Sequence, residues 1–133
     1  MISQVLWNRK NAKDTSKSKF KVKEKHAVWK RSSRLCVSVY KELTRCKYYG
    51  FKDQITRCSL SVSSNIAEGF ERSANKDSNK FIYYAKDFCG ELRTQIYIGI
   101  DIGYIEKETA LIWKNKTEQL SKMIFALIKA RCS

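Results

Sequence analysis

Residues 54–72 read QITRCSLSVSSNIAEGFER. Ile55, Cys58, Val62, Ile66 and Phe70 recur there at spacings of three, four, four and four. An α-helix turns once in 3.6 residues, so these side chains form one apolar stripe on an amphipathic helix. Ser59, Ser61, Ser63 and Ser64 are weak helix formers by propensity. Their small side chains allow a second helix to approach closely, and Gly69 near the end of the stretch fits the same purpose.

The pattern continues on both sides. Upstream, Trp29, Ser33, Cys36, Tyr40 and Leu43 recur at spacings of four, three, four and three, with Val37 and Val39 widening the stripe. Tyr48-Tyr49-Gly50 closes that segment, Gly50 being suited to the left-handed conformation after a helix. Downstream, Ser73 opens a linker, and Asp77 or Ser78 is placed to cap a third helix. Phe81, Ala85, Phe88, Leu92, Ile96 and Gly99 run along it, Cys89 and Ile102 lie beside them, and Gly103-Tyr104 ends it. Trp113, Leu120, Ile124, Leu127 and Ile128 supply a fourth stripe, with Lys129 and Arg131 in a last turn that favours cations. The chain has no proline to interrupt these segments. Helices are expected near 27–47, 52–71, 76–102 and 106–131. Short connections make neighbours antiparallel, and the simplest closure is an all-α, antiparallel up-down-up-down four-helix bundle with a basic N-terminal arm. The expected division is a flexible basic arm over residues 1–25 and a bundle domain over 26–133.

Charge narrows the function. The 133 residues carry 27 Lys and Arg against 13 Asp and Glu, a formal net charge of +14. An excess of this size implies an anionic partner, most commonly nucleic acid. Lys17, Lys19, Lys21, Lys23 and Lys25 alternate with other residues; a mobile charged tail fits this, and a short strand over 19–25 fits it also. Val5, Leu6 and Trp7 offer the arm an apolar docking point. Together with those five lysines, Lys30, Arg31, Arg34, Lys114 and Lys116 are the candidate nucleic-acid contacts. Lys114 and Lys116, with Lys122 and Lys129, read either as a basic stripe or as a solvated helix face. Tyr48-Tyr49, Tyr83-Tyr84, Tyr97 and Tyr104 offer stacking surfaces for unpaired bases or ordinary packing.

Other chemistries find little support. Cys36, Cys46, Cys58, Cys89 and Cys132 lack the short paired spacing of a zinc site, and five cannot all pair, so free thiols are expected. His26 is the only histidine, which removes most histidine-based metal sites and triads. Glu68 with Glu71, and Asp87 with Glu91, form carboxylate pairs at helical spacing, but no nucleophile, metal cluster or phosphate-cradling loop accompanies them. The expectation is a protein without catalytic residues, metal, cofactor or small-molecule substrate. No apolar run is long enough to span a bilayer and residues 1–10 lack a secretory pattern, so a cytoplasmic protein without membrane contact is expected.

The 54–72 stretch also resembles the signature of the four helix bundle family encoded in the intervening sequences of bacterial 23S rRNA genes. The residues that carry the resemblance are Gln54, Arg57, Ser64, Asn65, Ile66, Ala67, Glu68, Gly69, Phe70 and Arg72. Val28-Trp29 is similar to the family's opening step. Phe81, Ala85, Glu91-Leu92 and Gln95 match its third helix, and Gly103-Tyr104-Ile105 its last turn. The likeness covers about 26–131 and departs at Ser63, where the family often has proline. Accessory proteins of diversity-generating retroelements are more distantly similar. The resemblance implies a homopentamer with a central channel that associates with rRNA or the ribosome. Asn65, Glu68 and Arg72 share one helical side, as a polar network at an interface or RNA-facing site, or as a plain i,i+4 pair. Two function classes follow: an RNA-binding oligomer, and a protein-interaction scaffold such as an accessory subunit of a reverse transcriptase.

Overall fold

Each of the four stripes forms a helix in a computed structural model that describes residues 22–72 and 76–132. The helices are α1 Val22–Glu42, α2 Tyr49–Glu71, α3 Lys76–Asp101 and α4 Lys107–Cys132. No strand occurs among the described residues. Residues 1–21, and with them most of the expected arm, lie outside the described residues.

Cross-helix contacts give the topology. Across α1 and α2, Ser59 Oγ donates to Cys36 Sγ and Lys52 Nζ to the Thr44 carbonyl. Across α2 and α3, Cys58 meets Phe88 while Gly69 meets Ile82. Across α3 and α4, Arg93 meets Thr117 while Arg131 meets Asn79. Across α1 and α4, Trp113 meets Ser38 while Arg31 meets Met123. In every pair the numbers rise on one helix as they fall on the other, so each neighbour is antiparallel and α4 closes the ring onto α1.

One core fills the centre. Ile55, Ile66, Ile82, Leu92, Ile96, Leu120, Ile124 and Leu127 are buried in it. Trp113 joins them, its indole N–H donating to Ser38 Oγ at 3.0 Å, which satisfies the single polar atom of the ring. A side chain at Gly69 would meet Ile82 Cγ1 at 2.9 Å and the Ser78 carbonyl at 3.3 Å, so glycine sets the closeness of α2 and α3. At the end of α3, Gly103 adopts φ +79. Tyr104 N–H then bonds the Gly99 carbonyl at 2.8 Å and Gly103 N–H the Ile100 carbonyl at 3.1 Å, the glycine-dependent Schellman closure.

Several expectations change. α1 starts at Val22, not near 27, so the strand reading of 19–25 fails over 22–25 and Lys23 and Lys25 are helical. The reason is propensity: lysine, glutamate and alanine propagate a helix beyond its last buried residue. α1 stops at Glu42, and Gly50 lies inside α2 instead of terminating α1. The Thr44 hydroxyl donates to the Tyr40 carbonyl at 3.0 Å and Lys52 Nζ to the Thr44 carbonyl at 3.1 Å, so free carbonyls at the end of α1 are satisfied without a left-handed residue. α3 begins at Lys76, which puts Asp77 and Ser78 inside its first turn and not at its cap. The buried face of α1 keeps the expected Trp29 and Cys36, with Leu43 just past its end, and adds Val28, Ser32, Leu35 and Val39, while Val37 and Tyr40 are exposed. On α3 the expected Ala85, Leu92, Ile96 and Gly99 are buried together with Ile82 and Cys89, while Phe88 sits at the edge of the core, Phe81 is half-buried and Ile102 is exposed. Both helices carry more apolar residues than the core takes in, and periodicity does not say where the buried face ends.

Candidate nucleic-acid interface

Positions 31 and 34 of α1 and 116 and 119 of α4 are each one helical turn apart, so each pair shares a face. Antiparallel packing of α1 on α4 brings the two faces together. Arg31, Arg34, Lys116 and Gln119 wall an open groove of about 320 Å³ whose floor is the buried Leu120. Arg31 leans across α4, its guanidinium 3.9 Å from the Met123 sulfur. Among the described residues no acidic side chain lines the groove, so three positive charges face one volume without a described counter-charge in it. Convergent like charge destabilises a fold, and a bound polyanion relieves it.

The other expected contacts go elsewhere. Two residues along a helix are about 200° apart around its axis, so Lys114 and Lys116 point to different sides. Lys114 Nζ pairs with Glu118 Oε1 at 3.1 Å, and that hydrogen bond and charge raise its pKa. It is therefore compensated where Lys116 is not, and the two do not share a stripe. Lys30 is half-buried on α1 outside the groove lining. Lys17, Lys19 and Lys21 fall outside the described residues, as do the side chains of Lys23 and Lys25.

The residues of the 54–72 signature point three ways. Ile66 and Gly69 are core packing. Ser64 Oγ donates to the Leu60 carbonyl at 2.6 Å and Asn65 Nδ2 to the Ser61 carbonyl at 2.8 Å, both bonds within α2, while Ala67 is half-buried. Ser63, in the place of proline, donates likewise to the Leu60 carbonyl within an unbroken helix. Glu68 and Arg72 form an exposed i,i+4 pair at 2.9 Å, and Asn65 does not join them. Gln54 and Arg57 line a second groove of about 500 Å³ between α2 and α3. That groove is larger than the one between α1 and α4, but Asp53 and Glu91 line it beside Arg57, so its charge is mixed and it has no pull on a polyanion.

Sequence reasoning missed the inward-facing arginines. Arg93 donates to Thr117 Oγ1 at 3.1 Å, to the Thr117 carbonyl at 3.2 Å and to Ser121 Oγ at 2.6 Å. Arg131 donates to Asn79 Oδ1, Ser78 Oγ and the Gly69 carbonyl, bolting the end of α4 to α2 and α3. Spacing placed Arg131 only as a last-turn cation, and nothing in it marks Arg93 among the 27 basic residues. Among the described residues no three His, Cys, Asp or Glu converge as metal ligands, and no described helix is long and apolar enough to cross a membrane. Among the tyrosines that could stack on bases, Tyr48, Tyr49, Tyr83, Tyr84 and Tyr97 are exposed, whereas Tyr104 stacks on Tyr48 at 3.8 Å.

Fold and surface together define a small, basic four-helix bundle protein with an uncompensated cationic groove. The chain belongs to the family of 23S rRNA-intervening sequence proteins, which it matches over residues 24–126. It is also similar to a solved structure from Bacteroides thetaiotaomicron, described as a protein with unknown function from the S23 ribosomal protein family. The two share 23% identity with a TM-score of 0.74, over 80% of this chain and 98% of that one. At that identity the likeness speaks for the fold. No curated protein matches the chain.

Proposed function

We propose that this protein is a non-catalytic, cytoplasmic RNA-binding protein, associated with rRNA or the ribosome, that holds phosphates in the groove between α1 and α4. The observation that carries the reading is the convergence of Arg31, Arg34 and Lys116 with no acidic side chain among the described residues of the lining. The net charge of +14 and the family's tie to 23S rRNA intervening sequences support the same partner. RNA affinity of this kind is electrostatic and falls with salt by about 0.7 log units per log unit of salt for each single-stranded phosphate contact. The full chain carrying Arg31→Gln, Arg34→Gln and Lys116→Gln is expected to bind RNA more weakly, with the salt slope reduced by about 2. An unchanged slope would place the contacts elsewhere, and no binding at low salt would end the reading in favour of a protein-scaffold role.

The same proposal includes self-assembly into a homopentamer. The number five comes from the family resemblance. The face that supports assembly is the shallow seam between α1 and α2, where Val37 is 41% and Leu60 49% exposed beside Ser33, Ser63 and Ser64. Small hydroxyl-bearing residues around two large apolar ones fit the close approach of another helix.

A further inference from the structure

We infer that Phe125 is a stacking station for an unpaired base of single-stranded RNA, an inference that rests on the RNA-binding reading above. Phe125 lies on α4 outside the core stripe and is 46% exposed. Two ammonium groups from two helices converge on its ring. Lys129 Nζ, one turn further along α4, is 4.8 Å from the ring centroid, and Lys86 Nζ of α3 is 5.4 Å from it. No acidic residue occurs within one turn of Phe125 on α4. The core closes through Leu120, Ile124, Leu127 and Ile128 without this ring.

An exposed ammonium on a phenyl ring is a weak contact, and two long side chains lose rotamer freedom in making it. A base stacked on the ring is the stronger interaction, and it is indifferent to base identity because every base has a π face. When a base takes the ring, Lys86 and Lys129 swing aside onto the phosphates that flank it. The two cations and the ring then serve one nucleotide step, which explains why they sit together. Phe81, under Arg72 at 4.7 Å and Lys80 at 5.2 Å, repeats the pattern on α3, but Glu68 already pairs with Arg72, so Phe125 carries the inference.

Position sets the class of RNA. Lys116 and Phe125 are nine residues apart, which puts them on opposite sides of α4. A stiff duplex does not bend round one helix, and its bases are already stacked on each other. A flexible single strand reaches both sites and offers free base faces. The station therefore selects single-stranded over duplex RNA.

The test uses the full chain with two fluorescein-labelled probes, a uridine RNA of about 12 nucleotides and a blunt RNA duplex of the same length, read by anisotropy. Phe125→Leu keeps an apolar side chain and a good helix former but removes the π face. It is expected to weaken single-strand binding about tenfold, leave duplex binding unchanged and preserve the helical circular dichroism. Phe125→Trp is expected to bind the single strand at least as tightly as the native chain. Native-like binding by Phe125→Leu overturns the station, and so does an equal loss on both probes. If the Phe125 variants are silent while the Arg31, Arg34 and Lys116 variant is weakened, the station falls and the RNA reading stands. If the native chain binds neither probe at low salt, both fall.

Discussion

The Cys58 thiol donates to the Phe88 carbonyl across 3.2 Å, and the Cys89 thiol to the Thr117 carbonyl at the same distance. These hydrogen bonds require the protonated form. Burial pushes the Cys58 thiol up to about 12, with the Glu91 carboxylate and Cys89 adding to the effect. Burial also raises Cys89 and Cys36, against the partial opposition of Ser121 and Arg93 in the first case and of Ser59 in the second. The thiolate is the nucleophile, so these three residues react slowly. Iodoacetamide at about pH 8, below the ordinary thiol pKa, is expected to label the half-buried Cys46 well before Cys36, Cys58 and Cys89, as read by peptide mass. Equal labelling of Cys58 and Cys46 would contradict the packing described. A folded-state pKa above that of the unfolded chain means the unfolded form loses its proton first as pH rises. The stabilisation is complete below the ordinary value of 9.0 and is lost as pH climbs from there towards about 12, so the melting temperature falls across that interval. Lys114, raised from 10.5, acts in the same sense. The cysteine spacings already argued against zinc and disulfides, and the four cysteines whose side chains are described are free. Which thiols are shielded depends on carbonyls 28 and 30 residues away, which no local pattern encodes.

At the scale of the helix, glycines separate two effects. Gly69 lies where α2 and α3 cross, and an added methyl group would meet Ile82 and the Ser78 carbonyl. Gly90, on α3, has nothing within 4 Å of an added Cβ. Alanine gains up to about 1 kcal/mol over glycine in a helix interior, whereas overpacking costs about 1–3 kcal/mol. Gly90→Ala is therefore expected to raise the melting temperature and Gly69→Ala to lower it by several degrees, since 1 kcal/mol is worth about 4–8 °C in a domain of roughly 60–100 residues and about 2–4 °C in one of roughly 150–250. Thermal melts followed by circular dichroism decide it, and two variants shifting in the same direction would defeat the argument. The helix boundaries expected from spacing came close at α2, α3 and α4, where glycine or polar residues punctuate the ends of the stripes. α1 was displaced at both ends because its first turns are held by propensity and its last by side chains from elsewhere.

For the molecule as a whole, assembly and charge divide the surface. Val37 and Leu60 mark the apolar seam of α1 and α2, while the cationic groove lies on the α1 and α4 side. Light scattering on the native chain is expected to give five times its 15.5 kDa mass. Introducing Val37→Glu with Leu60→Glu places like charges on the seam and is expected to yield a folded monomer with unchanged helical content. A native monomer at micromolar concentration, or an undisturbed oligomer in the double variant, would refute the assembly proposed here.

The residue order alone determined that the described residues are helical, that they form four helices and which family the chain joins. Those properties follow from short-range periodicity, the absence of proline and the run from Gln54 to Arg72, all of which are local. Tertiary structure decided where the buried face of α1 and α3 ends, leaving Val37, Tyr40 and Ile102 outside, because that limit depends on the summed fit of four helices. It also decided which charges matter. Arg93 and Arg131 fold inward onto hydroxyls and carbonyls, Lys114 finds Glu118, and Arg31, Arg34 and Lys116 are left converging on one groove. Net charge is a property of composition, but an uncompensated patch exists only where packing brings distant residues to one side and leaves their counter-charges on another.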